Sequence, residues 1–142
     1  MNLYKDKISL KTTSRLQIID ITSRISQIIR KSGFKNGFSV LHVPHTTATI
    51  VVNEADPDLW EDILEALTRL VPIDAKYRHN LKYGGMPSEQ NAHAHILNCL
   101  LNPSITIPFI DGRLVLGTWQ SILFIELDGP RSRNVDILVY GV

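Results

Sequence analysis

From Ser104 to Gly141 the chain is a succession of short apolar runs, SITIPFI, RLVLGTW, SILFIEL and VDILVYG, rich in β-branched residues. Each has the length of one strand, and turn residues stand between them. Asp111-Gly112 is a pair suited to a two-residue type I′ hairpin, where both central positions need positive φ. Asp128-Gly129-Pro130 makes a second turn, between the last two runs. A chain ending in linked strands must bury a sheet, so the remaining sequence has to supply its cover.

The N-terminal half does so. Tyr4, Ile8 and Leu10 share one parity and Lys5, Lys7 and Ser9 the other, the alternation of a half-buried strand, and RLQIID reads as a second strand. Ile21, Ile25, Ile28 and Ile29 follow helical spacing, with Gly33 where the left-handed residue after a helix belongs. FSVLHV and TATIVVN read as two strands joined at Pro44-His45. Asp56-Pro57 combines an N-cap with a proline that needs no N–H partner. Trp60, Ile63, Leu64, Leu67 and Leu70 then form an apolar stripe, stopped by Pro72. Residues 73–87 show no period and read as a loop, and Ser88 is placed to cap a third helix through about Leu101. The expectation is one α+β domain over residues 1–142, its sheet mixed or mainly antiparallel, with about three helices packed on it.

Composition narrows the partners. Fifteen basic against fourteen acidic residues leave a net charge of +1, and no basic stripe with interleaved aromatics appears, so nucleic acid is not an expected partner. No window approaches the ~20 apolar residues of a membrane span. The start, MNLYKDKISLKTTS, lacks the apolar core of a signal peptide, and the expected location is cytoplasmic. Cys99 is the only cysteine, which excludes an intrachain disulfide, and it is expected to be buried as a small apolar residue.

The densest chemistry is NAHAH, Asn91 to His95. On a strand, alternate histidines would face one way and offer a metal-binding pair; on a helix they diverge by about 200°. The neighbouring Ile96, Leu97, Leu100 and Leu101 favour the helix. His93 is then expected to point inward, as a hydrogen-bonded core histidine or a ligand. His95 should share a face with Asn91 and Asn98.

Other polar clusters lie at element ends. His45, Thr46 and Thr47 open the TATIVVN strand, and Asn53, Glu54 and Asp56 close it. The first group would suit an oxyanion or a metal-bound water, or is simply turn chemistry; Asp56 is read as a cap alone. YRHN places Arg78, His79 and Asn80 in a loop that is either solvated or part of a site. Glu126 shares the parity of Ile122 and Phe124, and a carboxylate on an apolar strand face requires a partner or a use. Arg131 and Arg133 beside the Asp128 turn suit phosphate or carboxylate, or else pair with Asp128 or meet another subunit.

Taken together, HTTATIVVNEAD, YRHN, NAHAH and GRLVLGTWQSILFIELDGPRSR resemble the YjbQ family, described as secondary thiamine-phosphate synthase-like proteins, over nearly the whole chain. The resemblance implies a homotrimer, a polar pocket where these motifs converge, and a divalent metal held by histidine. The implied ligands are His45, His93 and His95, or two of them with His79; zinc is expected, or magnesium with a pyrophosphate substrate. The implied activity is a transferase joining a pyrimidine pyrophosphate to a thiazole phosphate, secondary to another role on a small phosphorylated compound. Thr46, Thr47, Thr118, Arg131 and Arg133 are the phosphate-binding candidates, and Glu54, His79, Glu126 and Asp128 the acid–base candidates. The rival expectation is a non-catalytic metal- or ligand-binding homotrimer.

Overall fold

In the computed structural model, which describes residues 1–142, the elements follow one another as β1 (Asn2–Lys11), β2 (Gln17–Asp20), α1 (Thr22–Ser32), β3 (Gly37–His42), β4 (Ala48–Asn53), α2 (Pro57–Leu70), α3 (Arg78–Lys82), α4 (Ala92–Leu100), β5 (Ser104–Ile110), β6 (Arg113–Leu114), β7 (Ser121–Glu126) and β8 (Ser132–Gly141). The strands form two sheets, β1-β8-β3-β5-β6 and β2-β7-β4, and every pairing is antiparallel. The domain is α+β, as expected. No helix is long and apolar enough to cross a membrane.

Strand parity explains the layering. Ile8 and Leu10 of β1, Leu41 of β3, Ile107 and Phe109 of β5, and Val135, Ile137 and Val139 of β8 turn one face of the large sheet inward. They meet Ile21, Ile25, Ile28 and Ile29 around α1, together with Ile50 of β4 and Ile122 and Phe124 of β7. The other parity of β7, Leu123 and Ile125, joins Leu97 of α4 in a second core, against which Trp60, Ile63, Leu64 and Leu67 of α2 pack. The small sheet is thus covered on both faces, which is why SILFIEL is almost continuously apolar.

The local signals for α1 and α2 hold. Gly33 has φ 73° and its N–H bonds to the Arg30 carbonyl. Asp56 accepts from the Asp58 N–H, with Pro57 first in the helix. The α2 stripe ends at Leu67, because Leu70 is exposed. Asp111 and Gly112 both have positive φ, at 51° and 73°, between the paired Ile110 and Arg113.

Several expectations change. There are four α-helices rather than about three, because residues 78–82 of the expected loop form α3. Ser88 caps nothing: residues 87–89 make a single 3-10 turn, and α4 begins at Ala92 after Asn91. The Asn91 side chain makes no cap bond; instead the Ala92 N–H finds the Asn80 carboxamide of α3. RLVLGTW pairs only through Arg113 and Leu114. The next partner would be Pro108, which accepts from the Val115 N–H but has no N–H to return, so the ladder stops. Cys99 is exposed, as are Ile96 and Leu100, because α4 buries Ala94 and Leu97 instead.

Candidate functional site

Antiparallel register decides which polar clusters meet. Ala48 pairs with Glu126 and Asn53 with Ser121, so the start of β4 and the end of β7 lie at one edge of the small sheet. The end of β3, the start of β8 and the open face of α4 converge there around a cavity of about 660 Å³. His45, Thr46 and Thr47 line it from the β3–β4 connection, Arg131 from just before β8 and Arg133 from within it, Asn91 from just before α4, and His95 and Asn98 from α4.

Arg133 carries the core parity of β8, in line with Val135, Ile137 and Val139, and Glu126 the core parity of β7. The two therefore meet inside the protein. Arg133 Nε donates to Glu126 Oε1 at 2.8 Å, and Nη2 donates to Oε2 and to Thr47 Oγ1. Thr12 donates to Oε1 at 2.7 Å, and the backbone N–H groups of Leu127 and Asp128 donate to Oε2. Burial alone would raise the Glu126 pKa, but the bonds from Arg133, Thr12 and the Asp128 N–H outweigh it and hold the carboxyl below its usual range. Five donors occupy this carboxylate, so Glu126 holds Arg133 in place and is not available as a general base. Gly129 belongs to the same construction: a Cβ there would stand 2.2 Å from the Ser14 carbonyl and 2.8 Å from Glu126 Cγ.

A second chain of bonds leads to the other arginine. Arg131 Nη2 donates to Asp128 Oδ2 at 2.8 Å and Nε to the Asp128 carbonyl. Asn91 Nδ2 donates to the same carboxylate oxygen at 2.7 Å. Its Oδ1 then accepts from His79 Nε2 at 2.9 Å, which fixes a proton on that nitrogen. The His79 ring meets the His95 ring edge-on, with centroids 4.9 Å apart. His79 thus stands behind the cavity, and Asp128 behind Arg131.

Two histidines of the cavity, His45 and His95, are biased to the neutral form. Burial, and then the Arg133 charge, lower the His45 pKa; burial, and then His79, lower that of His95. The Asn134 N–H donates to His45 Nε2 at 2.9 Å, leaving Nδ1 to carry the proton of the neutral ring. His95 hydrogen-bonds to no other group of the chain through either ring nitrogen, which leaves both open to a ligand.

His93 is placed differently. It is 1% exposed on the opposite side of α4, its Nε2 bonded to the Leu127 carbonyl and its Nδ1 buried with no partner. Burial and Arg15 lower its pKa. The implied ligand set does not fit this arrangement. His93 is sealed away from the cavity, His45 Nε2 is already an acceptor, and no three His, Cys, Asp or Glu side chains are grouped to hold an ion. Glu54 and Thr118 are not brought to the cavity either. They follow and precede the far ends of β4 and β7, five strand steps or about 17 Å from the Ala48–Glu126 pair.

Asn91, Asn98 and His42 complete the wall. Asn98 Nδ2 donates to the Ala48 carbonyl at 2.7 Å, and His42 Nδ1 bonds to Ser104 Oγ. Asn91, His95 and Asn98 stand at i, i+4 and i+7, so their common face was readable; that Asn91 would link two other residues was not.

Comparison with known proteins agrees with this fold. A family model described as "UPF0047 protein YjbQ-like" matches residues 6–142. A UPF0047 protein of Methanothermobacter thermautotrophicus is 41% identical over 141 residues, covering 99% of this chain and 94% of that one. YugU, a UPF0047 protein of Bacillus subtilis, is 36% identical over 94% of this chain and 97% of its own. Among solved structures, a "YbjQ-like protein of unknown function" from Sulfolobus solfataricus P2 superposes with a TM-score of 0.92 at 38% identity, covering 99% of both chains. A hypothetical protein from Aeropyrum pernix K1 gives 0.91 at 43%, covering 98% of this chain and 99% of its own.

Proposed function

The chain belongs to the YjbQ-like UPF0047 family, and from that premise we propose an enzyme that binds a small phosphorylated compound in the Arg131–Arg133–His95 cavity and transfers or releases its phosphate-bearing group. One observation carries this reading: two guanidinium groups, each braced from behind by a carboxylate, flank a histidine with an uncommitted ring. Bracing commits Nε and Nη2 and leaves Nη1 of both arginines, which line the cavity, without a partner in the chain.

The carboxylates balance both arginine charges, and the histidines are biased to neutral. An arriving dianion therefore favours protonation of His95, and the bound state holds the charge that catalysis of departure needs. Water attacks phosphorus as the ester P–O bond breaks. His95 gives its proton to the departing alcohol oxygen, the attacking water gives one to the product phosphate, and Arg131 and Arg133 stabilise the charge on the phosphoryl oxygens. The Thr46 hydroxyl and His45 Nδ1–H add neutral donors. The zinc or magnesium that the resemblance implies would need ligands beyond those one chain groups together, and no step above passes through it. Joining a pyrimidine pyrophosphate to a thiazole phosphate is a narrower, secondary reading.

A second reading, a non-catalytic ligand-binding homotrimer, draws support from the number of groups already committed: Glu126, Asp128 and Arg133 are all bound within the chain. Three measurements separate the readings. Calorimetry with inorganic phosphate and sulfate tests the anion site, and release of phosphate or pyrophosphate from a panel of esters tests turnover. Light scattering tests assembly against the 16.0 kDa chain mass. Phosphate binding with turnover lost in His95→Gln supports the enzyme; binding without turnover supports the second reading; no anion binding overturns both.

A further inference from the structure

The cavity's composition limits what the phosphate can be attached to. Of its thirteen lining residues only Val43 is an open-chain apolar side chain, and Val43 is 1% exposed. The chain has four Phe, four Tyr and two Trp, and none lines the wall. Phe38 and Tyr140 stack on each other across β3 and β8, Phe109 and Phe124 fill the core, and Trp119 is exposed in the β6–β7 connection. Pro44 and Pro103 supply the remaining carbon surface. A heteroaromatic ring entering this cavity would meet only the small planes of three imidazoles and two guanidinium groups, with no Phe, Tyr or Trp face to bury it.

Acceptors and donors are instead interleaved. Asn98 donates through Nδ2 to the Ala48 and His45 carbonyls, which turns its Oδ1, with no partner in the chain, to the cavity as an acceptor. The Glu89 carboxylate offers a second acceptor, beside the Thr46 hydroxyl and His45 Nδ1–H as donors. Alternating donors and acceptors are what hydroxyl groups require, since each both gives and takes a hydrogen bond. The geometry points to a small aliphatic phosphate ester carrying several hydroxyls, a polyol or sugar phosphate, as the ligand this site is built for. Arg131 and Arg133 take the phosphate, and Asn98 and Glu89 take the hydroxyls.

This inference rests on the anion-site reading, and the test keeps the two apart. The full chain is titrated calorimetrically with inorganic phosphate, glycerol phosphate, ribose phosphate, pyridoxine phosphate and the thiazole phosphate. The expected result is that the better hydroxylated ester binds at least about tenfold tighter than either heteroaromatic one, the effect of one or two well-made hydrogen bonds. A smaller margin, or the reverse order, overturns the inference while leaving the anion site intact. Absence of any binding, inorganic phosphate included, overturns the anion site itself. Asn98→Ala should abolish the margin and leave inorganic phosphate affinity unchanged; an equal loss for both would overturn the role of Asn98. Should that variant fail to fold, the less disruptive Asn98→Ser takes its place with the same expected split.

Discussion

Glu126 and Arg133 form the molecule's one ion pair in which both side chains are out of water, at 0% and 5% exposure. The pair stands on the core faces of β7 and β8, where it joins the two sheets and fixes the rear of the cavity. Removing one partner of such a pair leaves the other charge buried, at a cost of about 3–5 kcal/mol. Arg133→Met should therefore lower unfolding stability by that amount in a urea titration. Glu126→Leu combined with Arg133→Met should recover a large part of it; a double variant no better than the single one would refute the pairing as the source of the loss.

Acid sensitivity follows from burial of neutral histidine. Burial and the Arg15 charge lower the folded pKa of His93 below its ordinary 6.5, so below that pH the unfolded chain binds a proton that the folded one refuses. Stability is then expected to hold above about pH 6.5 and to decline as pH falls from there toward the folded pKa. Glu126 acts lower down: its depressed pKa adds stability that is present above the unfolded value of 4.5 and lost as pH falls through the folded one. Melting temperatures across this range, repeated on His93→Leu, would show a shallower decline in the first window if His93 is responsible. An unchanged slope would assign the effect to His45 and His95.

Sulfate keeps its double charge across neutral pH and isolates the protein's own titration. Because an anion raises the depressed pKa of His95, its affinity should rise as pH falls from about 7.5 to 5.5. Calorimetry in several buffers should show proton uptake on binding, lost in His95→Gln. A pH-independent affinity would place the anion away from His95.

Arg131→Ala removes a donor aimed at the anion and should weaken sulfate binding by about 1.5–3 kcal/mol, tenfold or more. Asn91→Ala should also weaken it, without touching the anion, by releasing Asp128 and His79 from their shared anchor. Glu54→Gln and Thr118→Ala serve as contrasts: both residues lie at the far sheet edge, and neither change should alter affinity or turnover. A strong effect of Thr118→Ala would contradict the present placement of the site.

Much of this protein was legible before any fold was known. Periodicity is local: it assigned β1, α1, the Asp56 cap of α2, the Asp111-Gly112 hairpin, and the inward His93 against the outward His95. Parity along SILFIEL placed Glu126 on a core face, whereas Arg133 read as a turn residue and only the start of β8 at Ser132 put it on the core face opposite. Periodicity tells which face a residue occupies, not which end of a neighbouring strand it meets. Glu54 and Thr118 looked equivalent to Thr47 and Asp128 until antiparallel register sent them to the opposite edge. The start of α4 was hidden for a related reason: its first free N–H is satisfied by Asn80 from another helix, and Asn91, freed from capping, ties His79 to Asp128. Those bonds span from 12 to 37 residues, and only the closed tertiary structure brings such partners within hydrogen-bonding distance.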